Sequence, residues 1–248
     1  MRQRFRKKSS RSLPVLSGVF YPLLGTALAL PTAGVWLALV PVFTRLPREW
    51  TAWAPLAGGV VGYGLIHFAF RRPISLYVFG HELTHALAAL VSGYKVKSLY
   101  VSEKGGEVQL SNTNVVVALA PYCLPIYTMI VVGLYLFVNR YAGFATPPVW
   151  FGAGVGATLA FHVALTVHAL RQHQPDLHHA GVYFSLVAIL FCNTLTVAAL
   201  VSLLFPASLR WTEFALESVR RTRGLTEGLW ALSSAGGRRM LDWAREVR

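Results

Sequence analysis

The chain has 248 residues, of which 54% are hydrophobic and 13% charged, with a formal net charge of +13. Soluble domains carry about 25% charged residues, so a water-exposed globule is excluded and lipid must be much of this chain's solvent. The basic excess sits mainly at the two ends, where the flanks of membrane spans place it without any nucleic-acid partner.

Residues 1–13 form a basic segment containing Arg2, Arg4, Arg6, Lys7, Lys8 and Arg11. The apolar stretch that follows, from Pro14 to Phe43, is too long for a signal-peptide core of about 7–15 residues. It reads as a retained membrane segment, either one long tilted helix or one broken at Pro31. A membrane helix needs about 20 mostly apolar residues. That criterion gives candidates at roughly 18–43, 53–70, 74–93, 114–138, 147–170 and 180–205. The predicted fold class is therefore all-α: a polytopic bundle of about six transmembrane helices over 14–205, an integral multi-pass protein of the cell (plasma) membrane.

Between the third and fourth spans the composition changes. Val96 to Val101 and Glu107 to Leu110 are strand-like, and Glu103-Lys104-Gly105-Gly106 supplies turn chemistry between them, which predicts a small β-hairpin. After Phe205-Pro206, residues 206–248 are basic and amphipathic, as expected of helices lying on a membrane surface. Cys123 and Cys192 lie in apolar runs and read as small buried hydrophobes.

The residues that carry chemistry are His81-Glu82-Leu83-Thr84-His85. Two histidines four residues apart on a helix share one face and can hold one metal ion together. Glu82 follows the first ligand, beside the metal, where it can accept a proton from water. Ionisable groups inside a membrane span are costly and functional by default.

A catalytic zinc needs a third protein ligand. Between Val108 and Thr212 the sole acidic residue is Asp176, in Gln174-Pro175-Asp176-Leu177 at the junction of the last two spans. His162 and His168 are the next candidates, but six residues apart they point to different sides of a helix. His173, His178 and His179 surround Asp176 as interfacial or supporting groups. His67 reads as hydrogen-bonded packing.

With these residues assembled, the chain resembles the site-2 protease family of intramembrane zinc metalloproteases. The carriers are Gly80-His81-Glu82-Leu83-Thr84-His85-Ala86 in a membrane span, Ser92-Gly93 closing it, the Gly105-Gly106 hairpin and the distant Asp176, over about 74–191. The resemblance implies Zn2+ held by His81, His85 and Asp176, with Glu82 as general base. It also implies membrane-protein substrates cut in or near their transmembrane segments. Leu177 stands where that family often has glycine, and Ala120-Pro121 is not followed by a nearby asparagine.

The expected activity is thus that of a zinc metallopeptidase. An unwound substrate would pair with one edge of the hairpin near Val108 and Leu110. One alternative is a prenyl-protein type metalloprotease, which needs a glutamate ligand. Another is a non-catalytic membrane metal-binding or transport protein, which gives Glu82 no role.

Overall fold

The computed structural model describes residues 14–45, 50–69, 74–102, 105–143, 148–172, 174–206 and 209–246. The basic segment 1–13, residues 71–73, the hairpin residues Glu103 and Lys104, and His173 lie outside them. The elements in chain order are α1 (Pro14–Arg45), α2 (Trp50–Ala69), α3 (Ile74–Val91), β1 (Val96–Ser102), β2 (Gly105–Leu110), α4 (Val115–Cys123), α5 (Ile126–Ala142), α6 (Val149–Leu170), α7 (Pro175–His178), α8 (Val182–Leu204) and α9 (Trp211–Glu246).

Among the described residues, four helices are long and apolar enough to cross a membrane: Gly18–Thr44, Ile74–Val91, Val149–Leu170 and Val182–Leu204. A fifth crossing arises if α4 and α5 together count as one bent span. The expected segment at 114–138 is therefore not one helix. It breaks between Cys123 and Ile126, and its halves are inclined by 71°. Pro121 and Pro125 explain the break, because each removes an N–H from the helical ladder and its ring crowds the carbonyl of residue i−4.

Pro31, by contrast, does not interrupt α1, which runs through Pro22, Pro31 and Pro41 as one helix. Packing neighbours make interior proline tolerable in such helices, and α1 lies against both α8 and α9.

The hairpin forms as an antiparallel pair, with Leu99 opposite Val108 and Tyr100 opposite Glu107. The glycine pair does not make its turn, however. Ser102 pairs with Gly105 and Val101 with Gly106, so both glycines belong to β2. Just before the hairpin, α3 ends at Gly93, whose φ of +77° suits a left-handed terminus. There Tyr94 N–H donates to Ala89 O and Gly93 N–H to Leu90 O, a paired C-terminal cap.

From Trp211 to Glu246 the tail is a single helix, and its first part packs on the bundle. Leu209 and Phe214 join the apolar cluster built from Val35, Ala38, Leu39 and Val42 of α1 and Leu200, Val201 and Leu204 of α8. Gly34 on α1 meets Ser218 and Thr222 of α9 so closely that a side chain there would collide with backbone. Small residues likewise let α2 and α6 approach backbone to backbone: a Cβ on Gly59 would strike the Ala153 carbonyl, and one on Gly156 the Leu56 carbonyl. Such contacts are the usual adhesive between membrane helices, where burial from water gives no drive for association.

Gly156→Leu is accordingly expected to destabilise the fold by about 1–3 kcal/mol through overpacking, read as a lower thermal midpoint in detergent. Gly62→Ala is the control, because a Cβ there meets nothing within 4 Å; its midpoint should not fall.

Candidate metal centre

The apolar helix α3 buries one polar face. His81, Glu82, Thr84 and His85 are all at most 4% exposed, and α3 is covered on that side by α4 and the hairpin. The single-turn α7 starts at Pro175, pre-set for the first helical position, and presents Asp176 to this face. Ser185 ties α7 to α8 by donating to Leu177 O at 3.0 Å.

His81, His85 and Asp176 converge. Asp176 Oδ2 lies 3.8 Å from His81 Nε2 and 3.5 Å from His85 Nε2, and the two rings meet edge to face at 4.8 Å. These separations are too long for hydrogen bonds. For a tetrahedral centre with bonds of about 2.0–2.1 Å, ligand atoms sit roughly 3.3–3.4 Å apart; the two distances to Asp176 are near that, and all three ligand atoms lie within 4.8 Å of one another. Both Nε2 atoms and Asp176 Oδ1 are buried without a hydrogen-bond partner. Unpaired polar atoms in an apolar bundle cost several kcal/mol, roughly 2–7 each. Two imidazoles and a carboxylate aimed at one point form a buried group that could hold a metal ion.

The orientation of His85 is fixed from outside the group. In α4, Pro121 cannot donate to the carbonyl four residues earlier, that of Val117. His85 Nδ1–H donates to Val117 O instead, at 2.8 Å. A carbonyl can only accept, so the proton is on Nδ1 and the Nε2 lone pair is free for a metal. His81 is held less tightly: its Nδ1 is 3.4 Å from the Tyr77 hydroxyl, and the edge of Tyr122 packs against its ring at 5.3 Å.

Comparison with family models, with curated proteins and with solved structures gives no match for this chain. The site therefore stands on its geometry.

Glu82 is fully buried beside the group; neither carboxylate oxygen has a partner at full hydrogen-bond geometry, and the backbone N–H of Val108 is the donor that approaches it. Strand β2 lies directly on it. A Cβ on Gly106 would come within 2.6 Å of Glu82 Cγ and of Val78 Cγ1, so the strand can lie here because Gly106 has no side chain. Val108 and Leu110 follow on the same strand, both half-buried and paired with Leu99 and Val96.

The other histidines stay outside the cluster. His162 lines a pocket beside His81, together with Tyr77, Gly80, Tyr127 and Phe161, and its Nε2 is 3.2 Å from Asn193 Oδ1. His168 bonds Gln172 at 2.9 Å, His67 bonds Tyr63 at 2.8 Å, and His178 and His179 are exposed. Sequence reasoning missed Tyr122, whose hydroxyl donates to Asp176 Oδ2 at 3.1 Å, and Asn193, which bonds the Tyr122 carbonyl at 2.7 Å. No local pattern marks either residue; only the fold sets one beside Asp176 and the other beside a freed carbonyl.

Full-length protein is expected to bind metal stoichiometrically, and His81→Ala, His85→Ala and Asp176→Asn to reduce it sharply, by elemental analysis after gel filtration. Stoichiometric metal surviving in a His81→Ala, His85→Ala double variant would exclude this cluster as the site.

Proposed function

We propose that the chain is an intramembrane zinc metalloendopeptidase of site-2 protease type, cutting substrate proteins in or near their transmembrane segments. The observation that carries this reading is a fully buried carboxylate, Glu82, with no partner at full hydrogen-bond geometry, next to a buried His81–His85–Asp176 group within a helical bundle. A metal-binding or transport protein gives no special reason for such a carboxylate directly beside His81. A glutamate-ligated prenyl-protein type protease is disfavoured, since the third member of the cluster is an aspartate, Asp176. On this reading α2 supplies the remaining crossing to give six spans, because its 20 residues reach about 30 Å and it packs along α6. The site would work in the cell membrane.

His81, His85 and Asp176 would hold the zinc, which when bound polarises the scissile carbonyl and acidifies water. Glu82 would accept the proton of the attacking water and pass it to the leaving amine. The close contact at Gly106 sets β2 against Glu82. A free strand edge there offers main-chain partners to an unwound substrate, whose N–H and C=O groups cannot stay unsatisfied in an apolar site. A small pocket beside His81 is lined by the polar side chains of Tyr77, Thr84, Tyr127 and His162 among apolar ones.

Glu82→Gln should keep its zinc and lose at least about 10²-fold in rate, the scale of general acid–base contributions. The check is metal content and cleavage of a reconstituted transmembrane substrate on one preparation; undiminished cleavage removes Glu82 from the chemistry. Proline at Val108 or Leu110 should impair cleavage with zinc retained wherever the lost N–H faces the substrate. Full cleavage by every proline variant from Glu107 to Leu110 would rule out this strand as the docking edge.

A further inference from the structure

The geometry points to Tyr122 as the positioning residue of the metal centre, with Asn193 as the anchor that fixes it. This assignment rests on the metal-centre reading of His81, His85 and Asp176.

Tyr122 is completely buried and touches two of the three candidate ligands. Its hydroxyl donates to Asp176 Oδ2, the oxygen that faces both histidines. Its ring stands edge-on to His81, with an interplanar angle of 84°. Asp176 sits on a helix of one turn, which by itself gives its side chain little support. The Tyr122 hydrogen bond restrains the carboxylate rotation that would otherwise carry Oδ2 away from the two Nε2 atoms. It also occupies a lone pair of Oδ2, so one oxygen is oriented while Oδ1 remains unpartnered.

Tyr122 can do this only if its own backbone is fixed, and it lies beside the break between α4 and α5. It is the penultimate residue of α4, just before the break at Leu124-Pro125. In a continuous helix the Tyr122 carbonyl would accept from residue 126. The last bond of α4 is instead Leu124 N–H to Ala120 O, and Ile126 already begins α5. At this depth a freed carbonyl needs another partner. Asn193 of α8 supplies it, donating through Nδ2 to Tyr122 O at 2.7 Å and to Ile189 O at 2.9 Å. With both amide hydrogens on carbonyls, Oδ1 is the acceptor and His162 Nε2–H of α6 donates to it at 3.2 Å. One asparagine thus joins α4, α6 and α8 at the residue that orients the third ligand. Replacing Tyr122 by phenylalanine keeps the ring against His81 and removes the hold on Asp176.

The test uses the full chain in detergent, stripped of metal and titrated with zinc against a chromophoric chelator, and separately loaded with cobalt(II) as a spectroscopic probe. Tyr122→Phe is expected to weaken zinc binding roughly 10–100-fold, the usual effect of losing a group that orients a ligand, and to shift the cobalt d–d absorption. Tyr63→Phe, which removes a buried hydroxyl bonded to His67, should match wild type in both. Asn193→Ala should shift both readouts in the same direction, and the double variant should be no weaker than the sum of its parts, because the two residues act through one carboxylate. A Tyr122→Phe protein with wild-type zinc affinity and cobalt spectrum overturns the assignment, whatever Asn193→Ala does. Wild-type protein that takes up neither ion overturns the metal-centre reading beneath it, a separate failure visible before any variant is made.

Discussion

The carbonyl of Val117 has no donor within its own helix, because Pro121 stands where the donating N–H should be. In an apolar bundle that vacancy has to be filled, and the group that fills it is His85 Nδ1–H. Much of the centre follows from this bond. It sets the tautomer of His85, turns the lone pair of Nε2 toward Asp176, and holds α3 against α4. A few residues on, Pro125 ends the same helix, and the carbonyl of Tyr122 passes to Asn193. The defects in the α4–α5 segment are thus the points from which the ligand-bearing elements are tied together. A straight, proline-free helix would satisfy its own backbone and leave neither bond to be made.

Two buried carboxylates share this small volume, and their neighbours suit them to the different tasks proposed for them. Asp176 lies between two imidazoles and accepts from Tyr122, the setting of a ligand that must stay ionised and in place. Glu82 has no partner at full hydrogen-bond geometry on either oxygen and is roofed by the backbone of β2 at Gly106. A base that must take up and release a proton gains from that freedom, since a carboxylate already committed to donors is a poorer acceptor. The glycine that makes room for Glu82 also sets how close the strand comes, so the proposed docking edge and the proposed base are held in register by a single missing side chain.

The His-Glu-x-x-His string was legible because its meaning is local. Helical periodicity alone brings His81 and His85 to one face, and the apolar surroundings make three polar groups within five residues hard to explain as packing. Asp176 was legible by elimination, being the sole acid over a long apolar stretch. The hairpin was legible from composition, but the glycine pair was misread as turn chemistry. Its use is steric and depends on Glu82, a contact with nothing in the intervening sequence to announce it. Tyr122 and Asn193 were illegible for the same reason: a tyrosine and an asparagine in apolar helices are ordinary until the fold sets one beside Asp176 and the other beside a freed carbonyl. The continuity of α1 through Pro31 and the break of the segment at 114–138 show that proline marks only a candidate break. Packing against α8 and α9 carries one helix through its prolines, whereas α4 gives up its ladder to side chains of α3 and α8.

The distribution of apolar contacts separates a scaffold from a working region. Among the described residues the largest cluster joins α1, α5, α6, α8 and the start of α9, elements other than the α3 and α7 that carry the candidate ligands. Around the ligands the apolar groups are fewer: Leu119, Tyr122, Leu177 and Ile189 surround the Asp176 side, and Tyr63, Phe161 and Leu165 form a small group near the pocket beside His81. A site proposed to bind an unwound backbone needs room for a second chain, which the close packing of a core does not leave. The bundle meets both demands by placing its tightest helix contacts, Gly59 with Ala153, Gly156 with Leu56 and Gly34 with Thr222, away from the metal centre. The centre itself is held by directed bonds, His85 to Val117, Tyr122 to Asp176 and Asn193 to Tyr122, which fix a few atoms closely.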